Sequence, residues 1–263
     1  MARPVGLFGV AKTAVREAYR CDLRYPAAAF AYYSFVSFVP LLLLVFSVVG
    51  QGVVDEMAAR APPFVTPDAQ RMIHRALRTA SGQTGALVLA VGVLAWSAAN
   101  VAVDFLIVVE RVEGTPARSL LRRCVDGGVV LAGVSTAIVT IVLANVLFAG
   151  RTDPLAGVLV EFLALLVALT VVFVPLYYAP SRVLDSPSAA VPGAATAAAG
   201  WAALHTAVQF YAGNAAAYAV YGAVSGVLVI LTGLYLAAVA LMFGVAVNTT
   251  LATEARPQGA GGR

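Results

Sequence analysis

Charge is scarce in this sequence. Only 11% of its 263 residues are Asp, Glu, Lys or Arg, against about 25% in an ordinary soluble domain. Its 17 basic and 13 acidic side chains are too few to coat a water-soluble globule of this length. Lysine is nearly absent: the basic residues are Lys12 and sixteen arginines scattered between apolar runs. No dense basic stripe with interleaved aromatics forms, so the net charge of +4 does not point to nucleic acid. Cysteine and histidine each occur twice. Cys21 and Cys124 lack CxxC spacing, and His74 and His205 form no cluster, which argues against a zinc site or a disulfide framework and leaves two free thiols.

What remains is apolar: 61% of the residues are hydrophobic, and they fall in long uncharged runs. Residues 27–50 hold no charge and are long enough to cross a hydrocarbon core of about 30 Å. The run is too long, and begins too far into the chain, for a cleavable signal peptide. Further spans are expected at about 85–103, ending at Asp104, at 127–150, and at 160–180 with Glu161 at its entrance. From Ser186 to Thr253 there are 68 residues without a formal charge, too many for one crossing. A break at Gly213-Asn214, with Tyr218 and Tyr221 at headgroup level, divides them into spans at about 189–212 and 222–248. A transmembrane β-barrel requires alternation that these runs lack. The expected fold is an all-α polytopic membrane bundle of six transmembrane helices forming a single domain over 1–263, with 251–263 a flexible tail.

An even number of spans places both termini on one side. Arg3, Lys12, Arg16, Arg20, Arg24, Arg111, Arg118, Arg122, Arg123, Arg182, Arg256 and Arg263 would share that side, against Arg60, Arg71, Arg75, Arg78 and Arg151 on the other. Twelve against five puts the termini in the cytoplasm, and both cysteines with them. Two amphipathic interfacial helices are expected outside the spans. One covers residues 7–24, where Lys12, Arg16, Arg20 and Arg24 oppose Phe8, Ala11, Val15 and Tyr19. The other follows Thr66-Pro67-Asp68 in the first outer loop, with Arg71, Arg75 and Arg78 opposed by Met72, Ile73, Ala76 and Leu77. It either packs over the bundle or holds anionic headgroups, and Arg71, Arg75, Arg78, Arg122 and Arg123 are the candidates for headgroup contact.

The chemistry of catalysis is thin. Glu110 and Glu113 read as a solvated helix end beside Arg111, and no P-loop, dinucleotide fingerprint or nucleophile elbow occurs. No enzyme, metal or cofactor is expected. Polar groups inside spans are more informative, because a translocation pathway needs them. Pro40 frees the carbonyl of Val36 within span one, with Ser34 and Ser37 near enough to bond the backbone. Trp96, Asn100 and Asp104 recur every four residues in span two. Asp104 either pairs with Arg111 or an arginine of 118–123 at the headgroup level, or acts as a gate. His205 is either a packing residue or part of the pathway. Ser37, Pro40, Asn100, Asp104 and His205 are therefore the candidate pathway residues. Gly222, Gly226, Gly233 and Gly244 give span six a small-residue face, able to hold span five or a second copy of the chain.

The run Arg24-Tyr25-Pro26 leading into Ala-Ala-Ala-Phe-Ala-Tyr-Tyr-Ser-Phe-Val-Ser-Phe-Val-Pro resembles the opening signature of the YihY/BrkB family of membrane proteins. Leu94-Ala95-Trp96-Ser97, the Arg118–Arg123 segment, Trp201, Tyr221-Gly222, Leu234-Tyr235-Leu236 and Gly244 to Asn248 are similar to later family blocks, in order. The resemblance implies a six-helix protein of the cytoplasmic membrane. Members have carried a ribonuclease label generally regarded as mistaken, and have been linked to serum resistance and to export of lipid-like envelope material. The family commonly has an acidic residue where this chain has Ala246, and a tryptophan before the Leu-Tyr pair that is missing here. Two roles follow as expectations: transport of an amphiphilic or lipid-linked solute, or a scaffold for envelope partners. A membrane-bound nuclease ranks third. Membrane lipid and a second copy of the chain are the expected partners.

Overall fold

A computed structural model of the protein describes residues 7–49, 84–148, 154–213 and 222–255, and among these there is no strand. The order is α1 (Leu7–Arg20), α2 (Arg24–Val49), α3 (Thr84–Glu113), α4 (Leu120–Phe148), α5 (Pro154–Tyr178), a 3₁₀ turn (Pro187–Ala190), α6 (Val191–Gly213) and α7 (Gly222–Ala255). Four of the helices contain stretches long and apolar enough to cross a membrane: Leu87–Glu113, Leu120–Phe148, Gly157–Tyr178 and Gly226–Ala255. The expected helix in the first outer loop, with Arg71, Arg75 and Arg78, lies outside the described residues, as does the break at Asn214–Tyr221.

Several helices outrun their expected bounds. The second uncharged run was expected to end at Asp104, but α3 continues to Glu113, because charged side chains such as Asp104, Glu110 and Arg111 do not themselves interrupt a helix's backbone ladder. What stops it is Gly114, at φ +64. Thr115 N–H bonds Glu110 O and Gly114 N–H bonds Arg111 O, the Schellman pairing that a left-handed glycine permits. Asp22, at φ 51, ends α1 in the same way, with Leu23 N–H on Ala18 O and Asp22 N–H on Tyr19 O. α7 runs on to Ala255, so 251–255 is helical and not part of a tail. Asn248 does not break it, because its amide bonds another helix, and Thr250 and Thr253 return their hydroxyls to the carbonyls four residues back.

The first residues of α2, α4 and α6 and the last of α3, α5 and α7 meet at one end of the bundle, so successive helices alternate in direction. Arg111 donates to Cys21 O, Glu113 binds Ser181 after α5, and Tyr177 donates to Leu241 O. α7 is central, touching α1, α2, α3 and α6. The interior is built on small residues: Ala194, Ala197, Ala198 and Ala202 of α6 are fully buried, beside Leu241, Met242 and Ala246 of α7. Large aliphatics such as Leu89, Val139, Leu147, Val167 and Val171 are exposed on the outside. Such an inversion is stable where the surrounding solvent is itself apolar. At the α6–α7 crossing, a Cβ on Gly244 would come within 2.5 Å of the Tyr177 hydroxyl, and one on Gly193 would meet the Gly244 carbonyl.

Candidate functional site

A cavity of about 510 Å³ opens within the bundle between α2, α3, α4, α6 and α7. Its wall is apolar, with Phe38, Leu41, Val101, Ile138, Ile141 and Trp201 among the lining side chains, and among the described residues its polar side chains are Ser34, Ser37, Ser97, His205 and Tyr211. Trp201 is held at the wall by a hydrogen bond from its indole N–H to Ala237 O at 2.9 Å and by an edge-on contact with Phe173 at 5.2 Å. Toward the end where α2 begins, the fully buried Phe105, Leu169, Phe173 and Leu176 fill the bundle.

Ser37 and His205 are thus both at the cavity, as are Gly226 and Gly233. The Ser37 hydroxyl donates to Ser34 O at 2.7 Å and not to the carbonyl that Pro40 frees. Pro40 lies within α2 but is not among the cavity's lining residues. Nor is Asn100, whose amide returns to Trp96 O at 2.7 Å on a face where Trp96 is half exposed. The face of α3 that meets the cavity is Leu94, Ser97, Ala98 and Val101, rotated from the Trp96–Asn100 line. Ser97 is fully buried and its hydroxyl has no hydrogen-bond partner. Sequence spacing missed it because serine is common in membrane helices and one hydroxyl among alanines makes no pattern.

Asp104 lies two turns from Ser97 on nearly the same face, with one buried carboxylate oxygen that has no partner. Among the described residues neither Arg111 nor an arginine of 118–123 forms an ion pair with it. Arg111 is turned to Cys21 O, and the others serve a cluster that the spacing did not reveal. Arg118, with a side chain 1% exposed, lies 3.0 Å from Glu110 and 3.0 Å from Asp126. It also donates to Pro180 O. Arg122 joins Asp126 at 3.2 Å and Arg123 joins Glu110 at 3.2 Å. Glu110 is therefore buried, not a solvated helix end as expected, and two of the five arginines considered for headgroup contact, Arg122 and Arg123, are engaged with carboxylates. Arg118, Arg122 and Asp126, four residues apart, were the available signal.

His205 Nε2 lies 3.0 Å from Oε1 of Glu161 on α5. One turn on, Gln209 donates to Asn145 Oδ1 of α4. The small-residue face of α7 is used internally: Gly244 abuts Gly193 and Tyr177, and Gly233 approaches Leu204. The surroundings of Gly222, the first residue of α7, are outside what the structure describes. Asn248 accepts from Gly193 N–H at 2.7 Å and donates to Ala190 O at 3.1 Å, tying the start of α6 to α7. Ala246, where the resemblance leads one to expect an acid, is fully buried in the core. Among the described residues, no three His, Cys, Asp or Glu side chains are grouped to hold a metal ion.

The sequence model of the family described as Virulence factor BrkB matches residues 14–262. No curated protein and no solved structure gives a significant match to the chain.

Proposed function

The chain belongs to the BrkB family, and from that membership we propose that it is a six-span protein of the cytoplasmic membrane that binds an amphiphilic or lipid-linked solute in its central cavity and moves it across the bilayer. Besides the four apolar helices, α2 and α6 have 26 and 23 residues. At a rise of about 1.5 Å per residue they are long enough to cross, and with them the chain crosses six times. The end that gathers Arg118, Arg122, Arg123 and both outer termini of the bundle faces the cytoplasm by the excess of basic residues. α1 then lies along that face. Its Ala14 packs inward while Val15 and Tyr19 remain exposed to lipid and Lys12 and Arg16 to headgroups.

The cavity carries this proposal. A well-packed interior leaves little empty volume, whereas ligand sites are mostly apolar with a few placed polar groups. A void of about 510 Å³ bordered by five helices, with an unpartnered buried Ser97 hydroxyl at its wall, is a site of that kind. In this role the protein is a carrier and not a catalyst. A scaffold working through the small glycines of α7 is less well supported, because Gly244 and Gly233 already face α6 and its neighbours.

Transport is tested by flux. Purified protein in liposomes is expected to exchange fluorescent amphiphiles between leaflets faster than empty liposomes, and replacing Ser97 by Leu, which removes the wall hydroxyl and narrows the cavity beside it, should lower that rate at least fivefold. No flux of any lipid or amphiphile above the empty vesicles would remove the carrier role.

A further inference from the structure

A second hollow lies apart from the central cavity, where α1 rests on α7. It is a groove of about 330 Å³, with Val15, Ala18 and Leu23 on one side and Tyr235, Val239 and Phe243 on the other. Val15 and Tyr19 at its rim are exposed. From Phe243 to Tyr235 it follows two turns of α7, about 12 Å of rise, inside the stretch Gly226–Ala255 that is apolar enough to cross a membrane. Water in such a recess needs two to four polar partners, and along this wall the described residues offer only the hydroxyls of Tyr19 and Tyr235. In a bilayer the filling that matches the wall is an acyl chain.

The groove also has a charged mouth. Asp22 and Arg24 both line it, at the corner where α2 begins. They meet in a single 3.4 Å contact, and their side chains remain 55% and 63% exposed, a loose pair of the kind that contributes little by itself. The Arg24 guanidinium stands 4.8 Å from the centre of the Tyr25 ring, and Tyr25 is itself exposed, as tyrosines at headgroup depth are. A phosphate takes an arginine as a two-pronged donor, and a primary ammonium donates to a carboxylate. A headgroup that carries both answers both lining charges, whereas one of phosphate and glycerol leaves Asp22 without a cation. We propose that the groove between α1 and α7 is a site for one phospholipid of the leaflet at that end, with an acyl chain against Val239 and Phe243, its phosphate on Arg24 and a primary amine, as in phosphatidylethanolamine, on Asp22. The site requires only that the bundle lies in lipid, so its fate is separate from that of the carrier role.

Competition between two lipids tests the site. Delipidated full-length protein in a non-ionic detergent is offered equal amounts of phosphatidylethanolamine and phosphatidylglycerol with identical chains, and the lipid that stays bound is read by native mass spectrometry. The first lipid retained is expected to be phosphatidylethanolamine, by at least fivefold. Asp22→Asn should bring that ratio close to one. Asparagine accepts the left-handed backbone that Asp22 adopts at φ 51, so this variant keeps the corner. Arg24→Gln should lower retention of both lipids at least fivefold, and Val239→Trp, which narrows the groove, should do the same. Phosphatidylglycerol retained as well or better, or a ratio unchanged in Asp22→Asn, overturns the headgroup assignment. Retention unaffected by both Arg24→Gln and Val239→Trp overturns the site. The ratio in the unaltered protein needs no substitution, so it decides even if Val239→Trp does not fold.

Discussion

Cys21 sits at the corner between α1 and α2, 6% exposed, with its thiol 3.4 Å from a Glu17 carboxylate oxygen. Burial, then the hydrogen bond to Glu17, pushes the thiol above its ordinary range. The same carboxylate is held below the usual range by its hydrogen bond to Arg20. The two act on stability at opposite ends of the pH scale. The Cys21 contribution is present below the ordinary thiol range and is lost as pH rises through the raised value, whereas that of Glu17 is present above the ordinary carboxylate range and is lost as pH falls through the lowered one. In a Cys124→Ser protein, alkylation of Cys21 by a small maleimide should rise with pH at a midpoint above about 8.5, the value of a free thiol. A midpoint at or below that value would contradict the assigned burial. That both thiols are unpaired was legible in their spacing. That Cys21 is buried and Cys124 exposed was not, because burial at the α1–α2 corner depends on tertiary contacts such as the Arg111 bond to Cys21 O.

The helices themselves were legible wherever charge-free length exceeded what a loop can use, but their ends were not. α3 overran its expected end by ten residues, and the reason lies in what its last turns contact: Glu110 is neutralised by Arg118 and Arg123, so a sequence that looks solvated is buried. The three helix ends joined there form the polar keystone of the bundle. Arg118→Ala would leave Glu110 and Asp126 buried together, a loss of order 3–5 kcal/mol, read as a lowered melting temperature in detergent. Lys at 118 should recover little of it, since it cannot reach both carboxylates and the Pro180 carbonyl as a planar fork does. Adding Glu110→Gln and Asp126→Asn to Arg118→Ala should recover part. A melting temperature unchanged in Arg118→Ala would refute the structural role of this cluster.

For the molecule as a whole, orientation rests on charge and cavity together. The ion cluster and the starts of α2, α4 and α6 share one end, and the cavity extends from mid-bundle toward the other, where His205, Gln209 and Asn145 continue the polar strip. With the cluster in the cytoplasm, the exposed Cys124 in the first turns of α4 should react with a membrane-impermeant maleimide in inside-out vesicles and remain unmodified in intact cells. Labelling from outside intact cells would invert the topology and place the cavity on the inner half.

Membrane residence, helical class and family are contained in the linear order of residues, because hydrophobic length and the placement of arginines are local quantities that no later contact changes. The placing of Ser97 and His205 on one cavity wall, and the meeting of Glu161 with His205 and of Arg118 with Asp126, are not contained there. Helical periodicity narrows which residues share a face but cannot say which face another helix will cover, and Trp96–Asn100 is as regular as Leu94–Ser97–Val101. The packing of α3 on α2, α4 and α7 decides which of those faces borders the cavity and which is left on the outside.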